Sequence, residues 1–359
     1  MPPEPPPAQP QEARTQGRRR LDVELLRIIS IAMVVAIHSM APTIVLAQKT
    51  GQTGFAYWLA LVANEVSRPG VPVFFAIMGW VLLRRPTAGD PVWLRDRFLR
   101  LAVPLLVWSI IEAADAVVMA NLTGVALWPK GKPGVWLGDQ LVRILAGPGT
   151  RTSLWFMYYA LAMTVAIWLV AAARPAVAGF RTAYAAIGAG LVLAFGLAAA
   201  FKVSLSWETF GWTLGYAALG VVLIETPAKR RWAGALAFGV GAGLTVAGIA
   251  WRGYDTWPSL YFSPAVLLAT VGVLVAVAGT AVPERWAALV TKLGALTFGV
   301  YFVHPLFLDV MRLASRNGGP LDAVPLAARL VLTWVVAIVG AFGAAALWHR
   351  SERLARILG

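Results

Sequence analysis

A succession of long hydrophobic runs is the feature that most restricts how this chain can fold. The runs are bounded by Pro, Gly and charged residues and alternate with short polar stretches. An α-helix needs roughly 20 apolar residues to cross the hydrocarbon core of a bilayer, and the runs are near that length. The pattern predicts about ten membrane-spanning helices, near residues 24–46, 57–83, 98–120, 154–173, 183–201, 208–224, 233–251, 259–280, 293–311 and 326–348.

The composition excludes an ordinary water-soluble fold. Of the 359 residues, 59% are hydrophobic and 13% are charged, and the mean hydropathy is +0.70. We therefore expect an all-α, polytopic transmembrane helical bundle in the inner or plasma membrane. The second run is interrupted by Arg68, Pro69 and Pro72, which predicts an interfacial piece leading into a shorter span.

The basic character of the chain has a topological explanation. A net charge of +14 and a pI near 10.7 on a soluble face would favour nucleic acid, but here the basic residues lie between hydrophobic runs. Alternate loops carry most of them, which predicts that both termini are cytoplasmic, with a lipid bilayer and no nucleic acid as partner. Because cysteine is absent, disulfides, thiolate metal ligands and a cysteine nucleophile are excluded. We expect no metal and no permanently bound cofactor.

Three segments are expected along the chain. Residues 1–20 are Pro-rich, end in three arginines and cannot bury a core, so we expect a disordered cytoplasmic tail. Residues 21–349 form the membrane domain, and residues 350–359 form a short basic cytoplasmic C-terminus. The basic tail before an apolar run also resembles a signal peptide, but the run continues to about Ala47. That is too long for a cleaved signal, so a retained first span is predicted.

Two polar residues stand out in the first run, Arg27 and His38. They are eleven residues apart, close to three helical turns, so they share one face roughly 16 Å apart along the axis. A histidine near mid-membrane usually faces a cavity or a partner, and a neutral imidazole can act as a base. The alternative is structural: Arg27 extends to the headgroups, paired with Glu24 or Asp22, and His38 hydrogen-bonds a neighbouring helix.

A dense basic cluster precedes the third run. Its guanidinium groups could hold a polyphosphate ligand through bidentate hydrogen bonds. The alternative is topology determination together with attraction to anionic lipid, and the cluster alone does not identify a ligand. Its members are Arg84, Arg85, Arg95, Arg97 and Arg100.

Five segments occur in an order that resembles the acyltransferase-3 family of integral membrane acyltransferases: LDVELLRIISIAMVVAIHS, VPVFFAIMGWVLL, WLRDRFLRLAVPLLVWS, LWFMYYAL and TFGVYFVHPLF. The resemblance runs from about residue 20 to 310. It implies that Arg27 and His38 are the basic residue and histidine of the family's first span, with catalytic roles. It also implies that Arg97 and Arg100, in RFLR, bind the acyl-CoA donor.

The chain departs from the family pattern at two places. Relatives usually have Ser before the Gly of the Phe-rich motif, whereas Met78 precedes Gly79 here. Many relatives have a His shortly before the Trp of the WF motif, whereas Ser153 and Leu154 precede Trp155. Both departures bear on acceptor specificity more than on use of the donor.

Further polar residues in the runs are candidates for supporting roles. His304 also matches the family, and Pro305 frees a helical carbonyl that its imidazole can partner, so a structural or pocket-lining role is expected. Glu112 and Asp115 share a helix face and are the first choice to orient the His38 imidazole, although either could instead pack helices together. Other acidic candidates are Glu65, Glu208 and Asp309; His349 is expected at the interface without a functional role.

The resemblance implies an O-acyltransferase. The acyl group, by default acetyl, would pass from cytoplasmic acyl-CoA to a hydroxyl of a glycan or a lipid-linked acceptor, with His38 as general base. The main alternative is an exporter or transporter sharing the fold, because polar residues within spans also mark substrate pathways. A membrane sensor or assembly factor without catalysis is a third interpretation.

Overall fold

The structure of the protein is a computed structural model that describes residues 20–83, 90–123, 154–172, 181–201, 208–225, 229–253 and 260–359. Throughout these ranges the ordered elements are helices and no strand is present. The predicted all-α class is thereby confirmed. Residues 1–19 of the expected tail at residues 1–20 lie outside the described residues, as do Arg84, Arg85 and Ser153.

Twelve helices follow one another in the described ranges. They are α1 Leu21–Thr50, α2 Phe55–Ser67, α3 Gly70–Leu83, α4 Pro91–Thr123, α5 Trp155–Ala172, α6 Arg181–Ala200, α7 Glu208–Glu225, α8 Arg231–Arg252, α9 Pro264–Val277, α10 Glu284–Ala314, α11 Leu326–Trp348 and α12 Glu352–Leu358.

Several helices have the length and apolar character of membrane spans. Among the described residues, α1, α4, α8, α10 and α11 are long and apolar enough to cross a bilayer, and α5, α6, α7 and α9 contain shorter apolar helices. Each predicted run coincides with a helix, apart from the second, which contains two. The chain is thus a multi-pass membrane protein, while the count of ten crossings and the cytoplasmic termini stay predictions.

The second hydrophobic run is divided between α2 and α3. Helix α2 ends at Ser67 and α3 begins at Gly70. The interruption falls at Pro69, which has no N–H to continue the helical ladder. This confirms the predicted break and places Arg68 at the junction of the two helices.

Helix α1 is the central element of the fold. It begins with Asp22 and Glu24 in its first turn, where carboxylates suit the positive end of the helix dipole, and its C-cap is Gly51 at φ 71°. It packs against α2, α3, α10 and α11. The Asp22 carboxylate accepts a hydrogen bond from the Gly279 N–H at 2.6 Å, and Trp334 Nε1 donates to the Ala32 carbonyl at 3.1 Å. These contacts fix the helix that carries Arg27 and His38.

Two helix pairs, α3 with α7 and α8 with α9, pack through glycine, and we call these contacts the glycine interfaces. A Cβ at Gly79 would meet the Ala217 backbone, and one at Gly220 would meet the Ala76 carbonyl. Between α8 and α9, a Cβ at Gly241 would lie 2.5 Å from the Ala269 nitrogen. Small residues at such positions let helix backbones approach closely, which is how helices associate in a bilayer without a hydrophobic driving force.

Candidate active site

A cavity of about 1200 Å³ lies among α1, α3, α4, α5, α10 and α12. We call it the central cavity. The sequence-predicted residues Arg27, His38, Arg97 and Arg100 all line it. Helices distant in the chain therefore bring the first-span pair and the RFLR arginines to one space. The other charged or imidazole side chains on its wall belong to Asp96, His349, Glu352 and Arg356.

Arg27 is held by the buried carboxylate of Glu24. Its Nη1 lies 3.2 Å from Oε1 and 3.1 Å from Oε2 of Glu24, and the Glu24 side chain is 5% exposed. Gly294 of α10 has no side chain where that carboxylate packs against it. The Arg27–Glu24 ion pair, which was the structural alternative to a catalytic role, is present. Arg27 nevertheless faces the cavity. A pairing role and an electrostatic role are thus compatible.

Arg97 and Arg100 come from the first turns of α4. They are at positions i and i+3 of the helix, so their side chains leave the same face, and both reach the central cavity. The neighbouring Arg95 is exposed, pairs with Asp96 at 3.0 Å and is not on the cavity wall. Of the predicted basic cluster that the structure describes, the RFLR arginines alone face this space.

The C-terminal segment lines the cavity, a position that the sequence pattern did not predict. Residues expected as a short basic tail form α12, and His349, Glu352 and Arg356 line the cavity. Trp108 Nε1 donates to the Leu358 carbonyl at 3.0 Å, which holds α12 against α4. The sequence contains a helix-start signal here. Ser351 is a typical N-cap residue, and Glu352 and Arg356 follow at i, i+4 spacing. In the structure the Ser351 side chain accepts a hydrogen bond from the Leu354 N–H.

His38 is positioned on α1 by contacts in the turns on either side of it. Asn64 Nδ2 donates to the Ile37 carbonyl at 3.1 Å, which ties α2 to α1 beside the histidine. Ser39 Oγ donates to the Val35 carbonyl at 2.7 Å. The imidazole of His38 faces the cavity on one side, and the ring of His304 is its neighbour, with 5.3 Å between the ring centroids and 38° between the planes.

His304 is fully buried and is not on the wall of the central cavity. The pocket-lining position expected for it therefore does not match the structure, because the residue lies one layer further in, against His38. The second expectation does match: Pro305 lies inside α10, and His304 Nδ1 lies 2.7 Å from the Tyr301 carbonyl oxygen.

The structure does not bring Glu112 or Asp115 to His38. Neither residue lines the central cavity. Glu112 is buried and interacts electrostatically with Tyr158 and Tyr301. Helix α4 is oriented about its axis so that Arg97 and Arg100 face the cavity. In this orientation the Glu112 carboxylate lies towards Tyr158 and Tyr301. Among the described residues, Arg68 at the α2–α3 junction interacts electrostatically with His38, and its Nε lies 3.4 Å from Glu65 Oε1.

The remainder of the cavity wall is apolar and aromatic. Trp155, Phe156 and Tyr261 line it, with 6.0 Å between the ring centroids of Trp155 and Tyr261. Met78, which replaces the usual serine of the Phe-rich motif, also lines it. The cavity therefore has a cationic part at Arg97 and Arg100 and an apolar part beside His38. Over the described residues, no three His, Asp or Glu side chains are grouped as metal ligands.

Comparison with known proteins gives one finding. The family model described as an acyltransferase domain matches residues 20–349, which is nearly the whole chain. No curated protein and no solved structure matches the sequence.

Proposed function

The chain belongs to the acyltransferase domain family, and from this premise we propose that it is an O-acyltransferase that moves an acyl group, by default acetyl, from cytoplasmic acyl-CoA to a hydroxyl of a glycan or lipid-linked acceptor. The observation that carries the proposal is the central cavity, in which a histidine and the RFLR arginines share one space. Because this space joins a cationic part to an apolar part, it suits a ligand with a charged nucleotide end and a reactive thioester end.

The donor is expected to bind at the cationic part of the cavity. Guanidinium groups of Arg97 and Arg100 form charge-assisted, bidentate hydrogen bonds with phosphate oxygens. Arg356 of α12 adds a third guanidinium from a different helix. Arg27, restrained by Glu24, contributes positive potential near the same ligand. The acyl thioester then extends along the cavity towards His38.

The chemical step is a direct transfer with His38 as general base. His38 takes the proton of the acceptor hydroxyl while the hydroxyl oxygen attacks the thioester carbonyl carbon. The new C–O ester bond forms, the C–S bond breaks, and the proton passes from His38 to the departing CoA thiolate. Base catalysis of this kind supplies about 10²–10⁴-fold. Alignment of the two substrates in a cavity with little water supplies much of the rest.

The test is transfer of labelled acetyl from acetyl-CoA by the purified protein, with membranes of the expression host as acceptor source. Ester-linked label is released by mild alkali and counted. We expect His38→Gln to reduce transfer about 10²–10⁴-fold. The matched control is Gln48→Ala, at an exposed position near the end of α1 that is not on the cavity wall, which should transfer normally. Undiminished transfer by His38→Gln would exclude the base assignment.

The same assay separates this proposal from the exporter interpretation. A transporter would bind or move its substrate without forming labelled ester, whereas the acyltransferase forms ester in proportion to enzyme. Wild-type protein that binds acetyl-CoA and yields no ester with any acceptor fraction would contradict the proposed reaction.

A further inference from the structure

Pro305 determines which nitrogen of His304 carries the proton. Proline has no N–H, so the carbonyl of Tyr301, four residues earlier in α10, has no helical partner at that position. His304 Nδ1 lies 2.7 Å from that oxygen and 3.3 Å from the Val300 oxygen. A carbonyl oxygen accepts hydrogen bonds only, so Nδ1 must carry the hydrogen. In a neutral imidazole the other nitrogen, Nε2, then presents a lone pair.

That lone pair is buried next to His38. His304 has no exposed surface, and in the described part of the chain its Nε2 has no hydrogen-bond partner. A buried acceptor without a donor is rare and calls for a functional explanation. The closest ring is that of His38, at 5.3 Å between centroids. Two imidazoles joined by an N–H···N bond have centroids roughly 5 Å apart, so a small rotation of His38 is sufficient to form the bond.

We propose that His304 is a positioning residue for His38, a role that rests on the proposed acyl transfer. Nε2 of His304 accepts the N–H of one His38 nitrogen, so the other His38 nitrogen is unprotonated and faces the cavity as the base. When His38 takes the acceptor proton, the same hydrogen bond stabilises the imidazolium. The arrangement places a neutral imidazole where a soluble triad has a carboxylate, and it adds no further buried charge to the site.

The competing explanation is that His304 only satisfies the carbonyl freed by Pro305. Two substitutions separate these roles. In His304→Asn the amide N–H can still donate to the Tyr301 carbonyl, but no atom remains at the Nε2 position. In His304→Gln the longer side chain reaches the Nε2 position with an acceptor oxygen and leaves the Tyr301 carbonyl without its partner.

We expect His304→Asn to lower kcat for acetyl transfer roughly 10–100-fold, as is typical when a supporting partner of an active-site group is removed. KM for acetyl-CoA should be unchanged, and His304→Gln should retain kcat within a few-fold. The opposite order, or wild-type kcat in both variants, would overturn the proposal. Thermal unfolding of each variant shows whether a loss reflects the fold instead.

A spectroscopic measurement tests the tautomer without any enzymatic turnover. The chain contains three histidines, so ¹⁵N-histidine labelling of the full chain in lipid nanodiscs gives a tractable spectrum, assigned with His38→Gln and His349→Gln. We expect His304 to show a protonated Nδ1 and an unprotonated Nε2. In Pro305→Ala, which restores the N–H to the Tyr301 carbonyl, this preference should weaken.

The two measurements fail independently. A wild-type protein that shows the expected tautomer and transfers no acetyl would contradict the proposed function while the predicted protonation of His304 stands. Active wild-type protein in which His304 carries its proton on Nε2 would overturn the positioning role alone.

Discussion

The contacts that join α3 to α7 and α8 to α9 differ in kind from those that surround His38. At the glycine interfaces, backbone atoms meet where a single Cβ would not fit. Around the central cavity, imidazole, guanidinium and aromatic side chains face a space of about 1200 Å³. At the glycine interfaces the absence of side chains lets the helices pack closely, whereas large side chains surround the central cavity.

This difference separates the residues that hold the fold from those that carry its chemistry. In lipid, helices gain little from apolar burial against one another, so close backbone packing supplies much of their association. Charged and titratable side chains within spans are energetically unfavourable in the bilayer, and they concentrate at functional sites. Substitutions at the glycine interfaces should therefore reduce stability, whereas substitutions on the cavity wall should reduce activity and leave the helices assembled.

The largest effect is expected from Gly220→Leu, which tests the first half of this comparison. The new side chain would meet the Ala76 backbone of α3, so the two helices would have to separate. We expect a loss of about 3 kcal/mol in unfolding free energy, or failure to fold, with transfer activity lost in parallel. The control is Gly239→Leu, at a helical position with open space around it. Equal thermal unfolding midpoints in detergent for the two variants would refute the interpretation.

A smaller effect, confined to function, is expected from Arg97→Ala combined with Arg100→Ala. Loss of charge-assisted hydrogen bonds to phosphate should weaken acyl-CoA binding about 10–100-fold, with the unfolding midpoint unchanged. Calorimetric titration with CoA provides the measurement. Arg95→Ala is the matched control on the same helix, because its side chain is not on the cavity wall. An equal loss in the control would mean that general surface charge, and not the site, attracts the ligand.

The smallest effect is expected from Arg356→Ala on α12. This guanidinium lines the cavity but is exposed and lies 3.7 Å from Glu352. Its net contribution to a bound phosphate should be about threefold in KM for acyl-CoA, as is usual for exposed charge pairs. Arg353→Ala, on the same helix and away from the cavity, should have no effect. Indistinguishable KM values for the two variants would remove α12 from the donor site.

The sequence was sufficient to locate the apolar helices and the first-span pair. Length and hydropathy determine which runs become helices, Pro69 determines where the second run breaks, and the helical repeat places Arg27 and His38 on one face. The orientation of each helix about its own axis could not be predicted from the sequence. When a helix is apolar on all sides, its sequence does not indicate which face is buried. The contact of His38 with His304 and the turning of Glu112 away from it follow from that orientation.

The continuity of the central cavity has a consequence for how turnover should depend on substrate concentration. A donor held by Arg97 and Arg100 and an acceptor beside His38 would occupy adjoining parts of one space, and direct transfer between them requires both to be bound before either product departs. Reciprocal rate plots should then intersect rather than run parallel. Free CoA, which occupies the donor part alone, should compete with acyl-CoA and not with the acceptor. Steady-state kinetics of the wild-type protein can therefore test whether both substrates bind before either product leaves.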